Sequence, residues 1–377
     1  MNTRTLMRVG VYVLLGAICG YTIYAAPAYF QNKNESAASA QLRVGGSSVV
    51  YFIMDKWKLD YRKKNIDIHY APTGSADGVK QVIDRHYQVG FSSSPLTADQ
   101  HAQAKAKDGE LVQVPVVLIG VVPAYHLPSL LVRDKEGKLA DKDGKPLEQP
   151  HLQFSADVLA KIFLGKIDKW NAPELQELNK DVKLPDLKIT VVRRKDASGT
   201  TFNFASYLHS ASELWRKEMG APANEVQWPE STKAAPRNEG VAYFVKGTEG
   251  AIGYVELINA IAARIQYGSV QNKDKTAFVL AKPETMTAAA KAAQDASPNE
   301  LPTDLTNQAG KDSYPICAVD WAVCYQQQPS AEYQLVADFM SFITKEGQAY
   351  SRDLQYAPLP EEFRQRAEEK LKLIKSR

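Results

Sequence analysis

From Leu42 onward the chain alternates between two hydrophobic rhythms. Ile66 to Tyr70 places apolar residues at every second position, as a half-buried strand does. Val49 to Tyr61 spaces them three and four apart, as a helix with one buried face does. Helical spacing recurs from Gly78 to Arg85, Ser155 to Phe163, Thr201 to Leu214, Ala331 to Thr344 and Glu361 to Ile374. Val114 to Val122 is almost continuously apolar, broken only by Pro115 and Gly120, which predicts a strand covered on both faces. Strands also fit Ile189 to Arg193 and Ala251 to Tyr254. Strands alternating with helices predict an α/β protein with mixed sheets. The alanine-rich stretch Ala288 to Ala296 reads as an exposed helix, and residues 132–150, with their Asp-Gly-Lys clusters, as an exposed loop.

The N-terminal pattern differs. Arg4 and Arg8 precede an apolar run from Val9 to Ala26, and polar residues follow from Gln31. This reads as a secretory signal peptide or an uncleaved membrane anchor over residues 1–28, followed by a tether over residues 29–41. Ala26-Pro27-Ala28 offers a small-x-small cleavage pattern. Ile18 stands before Cys19 where a lipoprotein signal needs a small residue, which argues against lipidation. Positive charge ahead of the run places the remainder outside the cytoplasm in either case.

Composition adds limits. The 377 residues are 44% hydrophobic, enough for real cores. Forty-six basic residues against 43 acidic ones leave a formal charge of +3, so no nucleic-acid footprint is expected. A single buried anion needs local donors, not a basic surface. Cys317 and Cys324 would lie about 23 Å apart on a strand and about 10 Å apart on a helix, so a disulfide would need a turn around Asp320.

Three segments share one design. Gly45-Gly46-Ser47-Ser48 precedes the helix at Val49, Thr73-Gly74-Ser75-Ala76-Asp77-Gly78 that at Val79, and Asp196-Ala197-Ser198-Gly199-Thr200 that at Thr201. Each sets a hydroxyl and small residues at a helix mouth, where free N–H groups and a partial positive charge can hold an anion. Any one of them alone is an ordinary N-cap. The third gains weight from Arg193-Arg194 just upstream, because a guanidinium grips two oxygens at once and Asp196 is placed to orient it. A fourth hydroxyl cluster, Ser92-Ser93-Ser94, precedes Pro95.

At these residues the chain resembles the periplasmic phosphate-binding proteins of ABC-type phosphate importers, from about Leu42 to about Pro360. The similarity rests on Val191 to Thr200, on Gly74-Ser75 with Gly78-Val79-Lys80-Gln81, on Phe163 to Trp170, and on Gly250 to Glu256. Leu305 to Gln308 and Tyr356 to Pro360 add to it. The resemblance implies a type II binding-protein fold, two α/β lobes joined by a two-strand hinge. Residues 42–116 and 316–377 would form the first lobe and residues 117–315 the second. It places phosphate ligands at Ser48, Ser75, Arg194, Ser198, Gly199 and Thr200, with Asp196 bracing Arg194. It implies delivery to an ABC permease of the inner membrane, with no cofactor and no metal. One position departs. Where the family usually has an aspartate that accepts the proton of phosphate and repels sulfate, this chain has Ser93, which donates as well as accepts. Selectivity against sulfate is therefore expected to weaken, unless Asp77, near in sequence, supplies the acceptor.

An enzyme reading finds little support. Ser75 and Ser198 lie in no Gly-x-Ser-x-Gly elbow, and the six histidines form no H-x-x-x-H pair. The alternatives within binding are a membrane-tethered phosphate sensor or a binder of another oxyanion such as sulfate; a phosphoester hydrolase ranks below both.

Overall fold

A computed structural model describes residues 40–131 and 151–377. The segments read above as leader, as tether up to Ser39 and as the loop 132–150 lie outside the described residues. The chain starts with β1 (Ala40–Gly46), α1 (Tyr51–Arg62), β2 (Ile66–Ala71), α2 (Ser75–Ile83), β3 (Val89–Ser92) and α3 (Ala98–Lys107). The long β4 (Leu111–Tyr125) follows. Next come β5 (Gln153–Phe154), α4 (Ala156–Phe163), α5 (Pro173–Leu178), β6 (Thr190–Arg194), α6 (Gly199–Ala211) and α7 (Glu213–Met219). They lead into β7 (Lys233–Ala235), α8 (Arg237–Lys246), β8 (Ala251–Glu256) and α9 (Leu257–Ala263). After β9 (Gln266–Tyr267), β10 (Ser269–Gln271), β11 (Phe278–Val279) and α10 (Pro283–Ala296), the chain turns back as β12 (Cys317–Tyr325). It ends with β13 (Gln327–Gln328), α11 (Ser330–Thr344), α12 (Glu361–Leu371) and β14 (Lys375–Ser376).

The strands run in the order β2-β1-β3-β12-β4-β8-β6-β7. One strand serves both halves. Leu111 to Gly120 of β4 pairs antiparallel with β12, and Val121 to Tyr125 pairs antiparallel with β8. On one side β1 pairs in parallel with β2 and β3, and on the other β6 pairs in parallel with β7 and β8. Each half buries its own core. Trp57, Phe91 and Phe339 anchor one, and Phe163, Phe204 and Tyr254 the other. The result is a two-lobed α/β fold in which β4 and β12 join the lobes. The continuous apolar run in β4 follows from this, since it is covered on both faces along nearly its whole length.

Pro115 leaves a mark on that junction. It has no N–H to give the ladder, and the register with β12 slips there: Asp320 faces Val117 while Trp321 faces Pro115. The carbonyl of Val116, left out of the pairing, accepts from Gln348 Nε2 at 2.7 Å.

Several sequence expectations need adjustment. β1 begins at Ala40, inside the segment read as tether. The helix expected from Thr201 to Leu214 is two helices, because Ser212 both ends α6 and caps α7 by accepting from Trp215 N. The alanine-rich helix is exposed on one face only. Ala289, Ala290 and Ala293 are buried, and small side chains let α10 lie close to β4, where Met286 and Ala281 crowd Gly120. Cys317 and Cys324 sit at the two ends of β12 as separate buried thiols. Burial pushes the Cys324 thiol up to about 12 and Cys317 further still. Among the described residues no helix is long and apolar enough to cross a membrane; the run Val9 to Ala26 lies outside them.

Candidate functional site

The three glycine-and-hydroxyl segments meet where the two lobes face each other. From the first lobe come Ser48, in a single 3-10 turn ahead of α1, Ser75, the first residue of α2, and Ser93, just past β3. From the second come Arg194, the last residue of β6, and Ser198, Gly199 and Thr200 at the start of α6. All six side chains among them are buried, with Arg194 only 3% exposed. The glycine is required by proximity: a Cβ at Gly199 would lie 2.6 Å from Ser75 Oγ and 3.0 Å from Ser93 Cβ. Gly74, at φ +105°, likewise brings its backbone against Ala197 and Asp196 of the other lobe.

Arg194 is held from three sides. Its Nε donates to Asp196 Oδ1 at 3.0 Å, and Nη2 pairs with Asp196 Oδ2. Its Nη1 donates to Thr200 Oγ1 at 3.3 Å. Its backbone N–H donates to the Tyr254 hydroxyl, which shares a hydrogen bond with Thr201 Oγ1 at 2.7 Å. Burial alone would raise the Asp196 carboxyl, but the hydrogen bonds and charge of Arg194, with the N–H of Arg237, leave it below its usual range. Ser198 caps α6 by accepting from Thr200 N at 3.1 Å and Thr201 N at 3.4 Å.

Two asparagines tie the lobes together across this point. Asn238 Nδ2, in α8, donates to Ser48 Oγ at 3.2 Å and to Thr200 Oγ1 at 3.3 Å. Asn203 Nδ2, in α6, donates to Ser93 O at 2.7 Å. Neither was singled out from the sequence, since a lone asparagine inside a helix carries no signal until its neighbours in space are known. Asp77, considered as an acceptor for the site, is elsewhere: its carboxylate accepts from Gln81 Nε2 one turn along α2.

A third residue missed from the sequence is Asp320, in the middle of β12 and fully buried. Its Oδ2 accepts from Ser47 Oγ at 2.6 Å, and Ser47 Oγ lies 3.0 Å from Ser93 Oγ. Burial raises this carboxyl to about 7, with the Ser47 and Ser93 hydroxyls drawing it partly back. The signal was available: Asp320 is the single charged residue in the strand Cys317–Tyr325.

The arrangement is rich in donors and poor in net charge. Arg194 is neutralised by Asp196, so the attraction for an anion comes from N–H groups and hydroxyls at the starts of α2 and α6 as much as from the guanidinium. Among the described residues no group of three or more His, Cys, Asp or Glu side chains is placed to hold a metal ion.

The PBP superfamily domain matches residues 32–346. The chain is 35% identical to the phosphate-binding protein PstS of Pasteurella multocida over 85% of this chain and 87% of the relative. It is 32% identical to PstS of Xylella fastidiosa, over 86% of this chain and 83% of the relative. Among solved structures, a high-affinity periplasmic phosphate-binding protein, PfluDING, bound with phosphate, shares the fold. Its TM-score is 0.66 at 18% identity, with 87% of this chain and 93% of that one covered.

Proposed function

Because the chain belongs to the PBP superfamily, and within it to the PstS phosphate-binding proteins, we propose that it captures one inorganic phosphate between its lobes and hands it to an ABC importer. It is a binding protein and not an enzyme. In this reading Arg194 grips two phosphate oxygens, the start of α6 at Ser198, Gly199 and Thr200 receives another, and Ser48, Ser75 and Ser93 close on the anion from the first lobe. The observation that carries it is the meeting of Ser75 and Ser93 with Gly199, at a helix start beside a buried arginine.

In this proposal residues 42–116 and 316–377 form the first lobe and residues 117–315 the second, with β4 and β12, which pair with each other and with strands of both halves, supporting their role as the hinge. The protein works outside the cytoplasm, with residues 1–28 as its signal peptide or anchor and an inner-membrane permease as its partner. The relative PfluDING is described as periplasmic, in keeping with this. The test is titration calorimetry of the ligand-stripped protein with phosphate. One saturable site per chain is expected; an absence of binding would overturn the proposal.

A further inference from the structure

Ser93 needs a partner to discriminate between anions, and the lobe junction supplies one. From the chain of contacts Asp320–Ser47–Ser93 we infer that Asp320 is a positioning residue for anion specificity: it turns the Ser93 hydroxyl into an acceptor, so that the site favours an oxyanion carrying a proton over one that carries none. This rests on the phosphate reading and deepens it.

The argument counts protons. An ionised carboxylate only accepts, so Ser47 Oγ–H is committed to Asp320 Oδ2, at 2.6 Å. With that proton spent, the 3.0 Å contact between Ser47 Oγ and Ser93 Oγ uses the proton of Ser93. Ser93 then has only lone pairs left for the cleft, at the mouth of α6, where a Cβ on Gly199 would touch it. Hydrogen phosphate has a proton to give those lone pairs. Sulfate does not, and two acceptors facing one another in a buried place repel.

No stronger donor competes for Asp320. Its Oδ1 has no hydrogen-bond partner among the described residues, and no cation contributes to its titration. The titratable groups that feel its charge are Glu256 at the end of β8, Tyr70 in β2 and Tyr356 ahead of α12, and Glu239 in α8 acts on the same two tyrosines. Glu256 is itself pushed well up by burial, and the two tyrosines likewise. The Tyr70 and Tyr356 hydroxyls donate to the carbonyls of Ser47 and Val49, which fixes the turn that carries Ser47. When Asp320 takes up a proton, the relay reverses: Asp320 donates to Ser47, Ser47 to Ser93, and Ser93 to the anion. Sulfate binding should then require one proton from solvent, and phosphate binding should not.

The test measures sulfate and phosphate affinities for the whole secreted chain by competition calorimetry at about pH 6 and about pH 8.5. In wild type, sulfate affinity should fall by about tenfold or more across that range. In Asp320→Asn, whose amide donates to Ser47 at every pH, that fall should vanish and the sulfate-to-phosphate affinity ratio at high pH should rise by about tenfold or more. Asp320→Ala, which removes the acceptor altogether so that Ser47 can donate to Ser93, should raise the same ratio and serves if the asparagine variant folds poorly. A pH-independent sulfate affinity in wild type, or an unchanged ratio in both variants, overturns the inference and leaves the phosphate reading intact. A wild type that binds no phosphate overturns both.

Discussion

The two walls of the cleft are built in opposite ways. The second-lobe wall is one stretch of chain: Arg194, Asp196, Ser198, Gly199 and Thr200 lie within seven consecutive positions at a strand-to-helix turn. The first-lobe wall is assembled from four separate segments, carrying Ser47 and Ser48, Ser75, Ser93, and Asp320. The second wall holds a fixed positive group clamped by its own neighbour. The first holds hydroxyls, each able to point its proton either way, with a carboxylate behind them. Affinity should therefore reside mainly in the contiguous wall and discrimination mainly in the assembled one.

Removing the charge tests that division most severely. Arg194→Ala should weaken phosphate binding by about two decades or more, since a buried charge-assisted contact is worth a few kcal/mol. Titration calorimetry at wild-type strength would break the comparison.

Next in size is the stability linked to the first wall. The folded-state pKa of Asp320, about 7, lies above its ordinary value of 3.8, so the folded protein holds this proton more tightly than the unfolded chain. That contribution is fully present below the ordinary value and is lost as pH rises through about 7. Ligand-free protein should lose on the order of 1–3 kcal/mol between about pH 5 and about pH 8.5, read by urea unfolding, and Asp320→Asn should flatten the profile. A profile identical in both proteins would remove Asp320 from the account.

Asn238→Ala cuts the bond that reaches both walls, at Ser48 and Thr200. It should cost about tenfold in phosphate affinity, the worth of one or two buried hydrogen bonds. Small-angle scattering should also show less compaction on adding phosphate than in wild type. The smallest effect is expected from Asp196→Asn, which keeps a hydrogen-bonding partner for Arg194 but removes the charge. A loss of about threefold to tenfold would mark Asp196 as orienting the buried guanidinium, and it should shrink at low salt, where removing a negative charge beside the anion offsets it most.

The α/β alternation, the buried run of β4 and the whole second wall are legible in the order of residues along the chain. Local order in the chain is spatial order there: a strand end, a tight turn and a capped helix start keep Arg194 to Thr200 together whatever the rest of the molecule does. The glycines and serines at the starts of α1 and α2 were legible for the same reason. Which acidic residue backs Ser93 is settled instead by the folding of distant strands into one sheet. Asp77 is sixteen residues away along the chain yet turns to Gln81, while Asp320, more than two hundred residues away, reaches Ser47 because β12 runs between β3 and β4. A sheet places residues by strand order and by the side of the strand they occupy, and neither follows from distance along the sequence.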